Sequence, residues 1–307
     1  MNLLIEEIVS TACSASSCSA TACSASACSA SACPKKIFII PYRNRVQHKF
    51  FFSNYMSFLL EDENPGDYEI YFSHQDDDRP FNRGATKNIG FLAMKNKYPN
   101  DYLNIDFIFN DVDTMPFNKI IDYSTTHGIV KHVYGFYFAL GGIVIFKGAD
   151  FERINGYPNY WGWGMEDNVL QHRCLKRGLT IDRNQFYQIG DQHMLQLFEG
   201  IKRIVTEDSK SNAIKDNGVD GVNTIFGLTY DISNESTNPA DNVNVVNNPF
   251  IYVINISSFE CLTRPSDHKF KEHDLRDNKK KDSSPIEMKL FQNKNNNMVR
   301  MGMGGLK

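Results

Sequence analysis

Asp106-Phe107-Ile108-Phe109-Asn110-Asp111-Val112-Asp113 is the stretch on which the reading of this chain turns. A short apolar run between chain-turning residues has the pattern of a buried strand, and this one ends in two carboxylates one residue apart. In open α/β sheets ligands bind beyond the carboxyl ends of the strands, where an Asp-x-Asp offers hard oxygen ligands to Mg²⁺ or Mn²⁺. A diphosphate is the natural guest. Its charge needs a cation and positive side chains before it can leave as a stable anion. Turn chemistry or a helix cap also accounts for an Asp after a strand, so the pair alone leaves both readings open.

Working outward, the 307 residues suffice for one large domain or two small ones, and a hydrophobic content of 41% supports a core. The net charge of −3 with scattered Lys and Arg leaves no electrostatic footprint for nucleic acid, and none is expected as a partner. No apolar window is long enough to cross a bilayer. The start, Met1-Asn-Leu-Leu-Ile-Glu-Glu-Ile, lacks a basic n-region and carries two acids, so neither a membrane span nor a signal peptide is expected. Cys13, Cys18, Cys23, Cys28 and Cys33 recur every fifth residue, a step that keeps neither a helix face nor a strand face. Residues 1–34 are therefore expected to be a disordered low-complexity segment, with a thiolate metal tail as the weaker alternative. Cys174 and Cys261 are too few for a disulfide framework and point to a reducing, cytoplasmic setting.

Lys35 to Tyr42 reads as a buried strand closed by Pro41, and His48 to Leu60 as a helix. Tyr68 to Phe72 follows as a second strand, which implies a right-handed crossover in a parallel sheet. Arg43 and Arg45 suit a phosphate-bearing ligand because guanidiniums stay charged and fork onto oxygens; solvated surface arginines are the plainer reading. Phe81-Asn-Arg-Gly-Ala85 precedes a helix running to about Tyr98. Phe81 could stack on a planar ring while Arg83 reaches for charge, or both could simply dock a helix start on the sheet. Strands are expected at Tyr134 to Phe138 and Gly141 to Phe146, with Gly141-Gly142 marking a close backbone approach. Gly156 to Asp167 holds both tryptophans between glycines and reads as a lid with aromatic faces for a sugar. Glu166 and Asp167 suit the start of the next helix, Asn168 to Arg177, through its dipole; held beside an acceptor hydroxyl, either could act as general base. After strands at Leu179 to Ile181 and Phe186 to Ile189 comes Asp191-Gln192-His193, a histidine and carboxylate able to complete a metal shell begun by Asp113. Residues 201–218 look polar and mobile. Asn223 to Ile232 and Phe250 to Ser257 suggest a closing hairpin, and residues 263–307 a disordered tail.

In order, Pro41-Tyr-Arg-Asn-Arg45, Phe81-Asn-Arg-Gly-Ala85, Asp111-Val-Asp113, Gly141-Gly142, Asn155-Gly156 with Trp161-Gly-Trp-Gly-Met-Glu-Asp167, and Asp220-Gly-Val-Asn223 resemble the β-1,4-galactosyltransferases, including the xylose-directed branch. The resemblance covers roughly residues 37 to 232. It implies an α/β fold of the GT-A type, a nucleotide-sugar-binding mixed sheet flanked by helices, as a single catalytic domain over residues 35–262. It further implies that Pro41, Arg43, Arg45, Phe81, Arg83, Asp111, Val112 and Asp113 hold a UDP-sugar donor. Trp163 would touch donor and acceptor, and Glu166 and Asp167 would hold the acceptor sugar, a glycan or glycoside, with Asp167 as base. Asp113 and His193 would bind Mn²⁺ or another divalent cation. Gly190 stands where the family often has Met and Asp191 where the xylose-directed branch has His, so Asp191 is the expected third protein ligand. Ala139 replaces a Tyr of galactose-specific members, which admits N-acetylgalactosamine beside galactose. The expected reaction is an inverting, metal-dependent transfer forming a β-linkage; a catalytically degenerate sugar-binding module is the alternative. Relatives are usually anchored in the Golgi with disulfides, whereas a cytoplasmic microbial or viral protein fits this chain better.

Overall fold

The computed structural model describes residues 33–198, 200–234 and 249–276. The expected N-terminal repeat up to residue 32 and the tail beyond residue 276 lie outside the described residues. In chain order the elements are β1 (Lys36–Tyr42), α1 (Val46–Leu59), β2 (Tyr68–Gln75), α2 (Arg83–Lys97), β3 (Asp106–Asn110), β4 (Thr114–Pro116), β5 (Ile129–Gly135) and β6 (Ile143–Lys147). There follow α3 (Gly148–Arg153), α4 (Glu166–Lys176), β7 (Thr180–Asp182), β8 (Tyr187–Gln188), β9 (Met194–Gln196) and β10 (Lys202–Thr206). The last are α5 (Ser209–Lys215), β11 (Phe226–Asn234), β12 (Ile251–Glu260) and β13 (Phe270–Asp274).

Among the described residues the main sheet has nine strands in the order β11-β12-β2-β1-β3-β6-β5-β7, with β8 also on β5. β1 runs parallel to β2 and β3, while β3 and β6 are antiparallel, which makes the sheet mixed. Strands covered on both faces read as near-continuous apolar runs, and Ile37 to Pro41 of β1 and Phe107 to Phe109 of β3 do. Ile37, Ile39, Phe107 and Phe109 pack on the side of α2, with Ala85 and Ile89; Phe38, Ile40 and Ile108 pack on the side of α1, with Phe52 and Met56. The chain leaves β1 toward β2 and then returns past it to β3. Such a reversal of strand order puts ligand sites in a crevice at the carboxyl ends of the strands, here those of β1 and β3.

Three expected elements sit differently. The strand read at Tyr134 to Phe138 is β5, which ends at Gly135; Ala139 N bonds Phe136 O at 3.1 Å in a turn that leaves the Phe136, Tyr137 and Phe138 rings exposed. Aromatic residues favour strands, but here turn geometry prevails. Residues 201–218 are not irregular: they hold β10 and α5. The tail expected from residue 263 contains β13, which pairs antiparallel with β10 from Thr206↔Phe270 to Lys202↔Asp274. The pair is polar and half-exposed, so its sequence carries little of the hydrophobic signal that marks strands.

Candidate active site

The site is built from the ends of β1 and β3, the first turns of α2 and α4, and the turn between β5 and β6. Asp111 follows β3 directly; its N–H bonds Gly142 O at 3.0 Å and its carbonyl accepts from Thr114 N at 3.1 Å, a turn that brings Asp113 back into the crevice. Asp113 is 7% exposed. Thr114 Oγ1 donates to its Oδ1 at 3.0 Å, and Arg45 Nη1 stands 3.9 Å from its Oδ2. Burial and the neighbouring charge of Asp111 push its proton affinity above the usual carboxylate range. That surplus of negative charge is what a cation relieves.

Arg83, in the first turn of α2, ties the crevice together. Its Nη2 donates to both oxygens of Asp111 at 2.6 and 2.7 Å, while Nη1 donates to Glu166 Oε1 at 2.6 Å and to Asp167 Oδ2 at 2.8 Å. The residue is held there because Asn82 caps α2, its side chain accepting from Ala85 N at 2.9 Å. Despite burial, three carboxylates around one guanidinium hold it firmly protonated. One turn on, Lys87 is 1% exposed; its Nζ lies 3.6 Å from Asp111 Oδ1, 3.8 Å from Asp167 Oδ1 and 4.6 Å from the Tyr157 ring centroid. Burial works against ionisation of Asp111, but Arg83 and Lys87 outweigh it and hold this carboxyl low.

Asp167 occupies the second position of α4, and burial pushes its pKa up to about 6 against the pull of Arg83 and Lys87. Its place depends on two backbone features. Met165 precedes the helix with φ 75°, a left-handed conformation uncommon for a residue with a side chain. Gly141 passes so close that a Cβ there would stand 2.5 Å from Asp167 Oδ2, and Leu140 N donates to Asp167 O at 3.0 Å. Gly141 is fixed in turn by His132, whose Nε2 lies 3.1 Å from the carbonyls of Gly141 and of Tyr134. Arg183 Nε donates to His132 Nδ1 at 3.1 Å. The imidazole is therefore neutral with its proton on Nε2; burial, then Arg183, push its pKa down to about 3.

The tryptophan segment differs from the expected hinged lid. Gly162 N donates to Phe81 O at 3.0 Å and Trp163 N to Ile204 O of β10 at 2.7 Å, so its backbone is tied on both sides. The glycines there serve positive φ: Gly156, Gly162 and Gly164 stand at 60°, 83° and 117°. Trp161 offers no face to a sugar. It is 1% exposed, stacks on Phe259 at 5.6 Å, lies under Arg79 at 4.8 Å and donates from Nε1 to Thr263 O at 2.8 Å. Trp163 is the ring left 48% exposed.

The crevice thus brings together Arg45, Arg83, Asp111, Asp113, Glu166 and Asp167; of the other expected donor residues Pro41 and Val112 are buried and Phe81 is half-buried. Arg43 is spent elsewhere: its guanidinium donates to the carbonyls of Arg79 and of Asp77, the latter at 2.5 Å, bracing that turn. The expected metal set of Asp113, His193 and Asp191 is not assembled. β4 pairs with β9 antiparallel, Asp113 O accepting from Leu197 N at one end and His193 O from Phe117 N at the other. Four strand steps at about 3.3 Å each put the two backbones about 13 Å apart along the ladder. Asp191 is partnered with His193 instead, Oδ1 to Nδ1 at 2.8 Å, and among the described residues no group of three or more His, Cys, Asp or Glu could hold a metal ion. Lys87 and His132 were not singled out from the sequence. Lys87 stands four residues after Arg83, on the same helix face, and that spacing is the signal that could have found it.

A mixed sheet between helices, with an Asp-x-Asp at the crevice and acidic residues opening α4 across from it, defines a GT-A-type glycosyltransferase domain. Two adjoining family models match the chain, the "N-terminal region of glycosyl transferase group 7" over residues 6–126 and the "N-terminal domain of galactosyltransferase" over residues 130–196. The human β-1,4-galactosyltransferase 1 is 37% identical over 162 residues, 49% of this chain and 39% of that protein. The xylosylprotein 4-β-galactosyltransferase of Caenorhabditis elegans is 30% identical over 176 residues, 54% of this chain and 58% of that protein. The chain thus spans 39% and 58% of the lengths of these relatives. In fold it is similar to a Drosophila β-1,4-galactosyltransferase 7 mutant solved with manganese, UDP-Gal and xylobiose, at a TM-score of 0.58 and 20% identity, covering 74% of this chain and 95% of that one. The chain belongs to the β-1,4-galactosyltransferase family.

Proposed function

We propose that this protein is an inverting, metal-dependent glycosyltransferase that moves galactose, or N-acetylgalactosamine, from a UDP-sugar to a hydroxyl of an acceptor sugar. The observation that carries this reading is the Arg83 fork, which joins Asp111 on the donor side to Glu166 and Asp167 on the acceptor side within single hydrogen bonds. Donor and acceptor groups closer than that can react in one displacement.

The residues fit a divalent cation through Asp113, a buried hard-oxygen donor carrying surplus negative charge beside Asp111. Such an ion, completed by donor phosphates, would supply positive charge to the departing diphosphate. Arg45 lies beside the same carboxylate and would face the phosphates. Arg83 would turn from the carboxylates to the diphosphate as the donor arrives, which releases Asp167. Asp167 then takes the proton of the acceptor hydroxyl while that oxygen bonds the anomeric carbon from the face opposite UDP. The bond from that carbon to the phosphate oxygen breaks, and its electrons leave with UDP. Glu166 would hold a second acceptor hydroxyl, and Trp163 would cover the sugars. Ala139, small and buried next to the Gly141 turn, leaves room for the acetamide of N-acetylgalactosamine.

No helix among the described residues is long and apolar enough to cross a membrane. Cys33, Cys174 and Cys261 are free thiols, which supports a reducing, cytoplasmic setting in this reading. The test is UDP release from UDP-galactose, UDP-N-acetylgalactosamine and UDP-glucose against xylosides and N-acetylglucosaminides, with and without Mn²⁺. Acceptor-dependent, manganese-dependent release is the expected result. UDP binding without turnover on any acceptor would make this a sugar-binding module and overturn the proposal.

A further inference from the structure

Lys87 is a charged group of the crevice to which the reaction just described gives no task. Its ammonium sits at the floor of the site, 1% exposed, with Asp111 Oδ1 at 3.6 Å on one side, Asp167 Oδ1 at 3.8 Å on another and the Tyr157 ring at 4.6 Å on a third. Burial, then the neighbouring Arg83, push the proton affinity of Lys87 below the ordinary lysine range, while the two carboxylates and the π face favour its charged form. The groups that face Asp167 are Arg83 and Lys87 from α2, Asp111 from the end of β3, Glu166 from α4, and Tyr157 from the segment after α3. Two of these five, Asp111 and Glu166, are carboxylates and Tyr157 is a neutral phenol, so Arg83 and Lys87 are the groups among the five that offset the negative charge.

Arg83 cannot do two things at once. Its Nη1 and Nη2 groups are directed at three carboxylates here, and a guanidinium that turns to a diphosphate gives up at least part of that set. Lys87 has no such freedom, because its stem is enclosed in α2 against the sheet. We propose that Lys87 is a positioning residue for Asp167: when Arg83 is drawn to the donor, the fixed ammonium keeps this carboxylate ionised and aimed at the acceptor. The inference rests on the transferase reading for its kinetic consequence, but not for its electrostatic one. At distances under 4 Å in a buried site, loss of one of two cations raises the proton affinity of the remaining carboxylate. Burial has already lifted Asp167 to about 6, so a further rise falls within the working range of pH.

The test compares the unaltered protein with Lys87→Met and Lys87→Arg. Met keeps an unbranched chain of similar length without the charge. In Lys87→Met the acid limb of kcat/KM is expected to move up by about one pH unit, a roughly fivefold loss near pH 6 that approaches about tenfold below pH 5 and fades to within about twofold by pH 7. Lys87→Arg should keep the limb within about 0.3 unit. A packing defect would lower the rate equally at every pH, and that result would overturn the proposal. Independently of activity, the ¹³C resonance of the Asp167 carboxyl, assigned with Asp167→Asn, should titrate about one unit higher in ligand-free Lys87→Met; an unmoved midpoint also overturns it. If Lys87→Met does not fold, the ¹⁵N resonance of Lys87 Nζ in the unaltered protein decides: an ammonium at pH 7 supports the role and a neutral amine refutes it. Should no acceptor support UDP release, the transferase reading falls while these resonances still judge Lys87.

Discussion

Asp167 can take a proton only while it is ionised, and burial holds its pKa at about 6. The sign follows directly: below that value the carboxyl is protonated and the rate falls, while above it the base is ready. On the proposed reaction kcat/KM, which reports the ligand-free protein, should therefore drop tenfold per unit below about pH 6, as measured by UDP release in overlapping buffers. Asp167→Asn should lower kcat by about 10²–10⁴-fold with UDP affinity little changed, because the amide cannot accept the proton. Met165 offers a test of stability at the same scale. Its left-handed φ of 75° costs on the order of 1–3 kcal/mol, against which glycine loses roughly 0.4–1 kcal/mol through a freer unfolded chain. Met165→Gly should therefore raise the unfolding free energy, read from urea titration, by about 1 kcal/mol. Of the residues gathered here, Asp111, Asp113, Arg83, Glu166 and Asp167 were legible because each stands at the end of a strand or the start of a helix, where sequence pattern places it. Lys87 was hidden inside an apolar helix, and the separation of His193 from Asp113 depends on a strand register that no local pattern encodes.

At the scale of elements, the turn between β5 and β6 sets the position of Asp167, the proposed base. Gly141→Ala would put a methyl 2.5 Å from Asp167 Oδ2 in the present arrangement, so the carboxylate must move. A displacement of about 1 Å is enough for a loss of about 10²-fold in kcat, with the fold kept, as circular dichroism would verify. His132 braces that turn as the neutral imidazole, its pKa pushed from an ordinary 6.5 down to about 3. A depressed pKa means that the unfolded chain binds the proton more readily. The stability it contributes is present above about pH 6.5 and is lost as pH falls toward 3. Melting temperatures should decline across that window, and His132→Gln should flatten the decline while lowering the plateau. The legibility of elements follows their burial. β1, β2 and β3 are near-continuous apolar runs and were readable; β5 was shifted because its neighbouring aromatic residues belong to an exposed turn; β10 and β13 were missed because neither buries a regular face.

Across the whole molecule, residues 37 to 232 do not complete the structure. β13 returns from beyond the expected boundary at 262 to pair with β10, and Thr263 O accepts the indole N–H of buried Trp161. A protein ending at residue 262 should therefore melt several degrees lower than one ending at residue 276 and should lose acceptor affinity before donor affinity. Equal melting and equal kinetics would refute this. The tie from Trp163 to β10, and from β10 to β13, has a consequence for biogenesis. While a nascent chain has emerged only to residue 262, it holds the arginine and every carboxylate of the crevice, but β10, to which Trp163 is tied, still lacks its partner strand β13. Catalytic competence should thus arrive late in translation, with the emergence of residue 274, rather than grow gradually as the sheet is laid down.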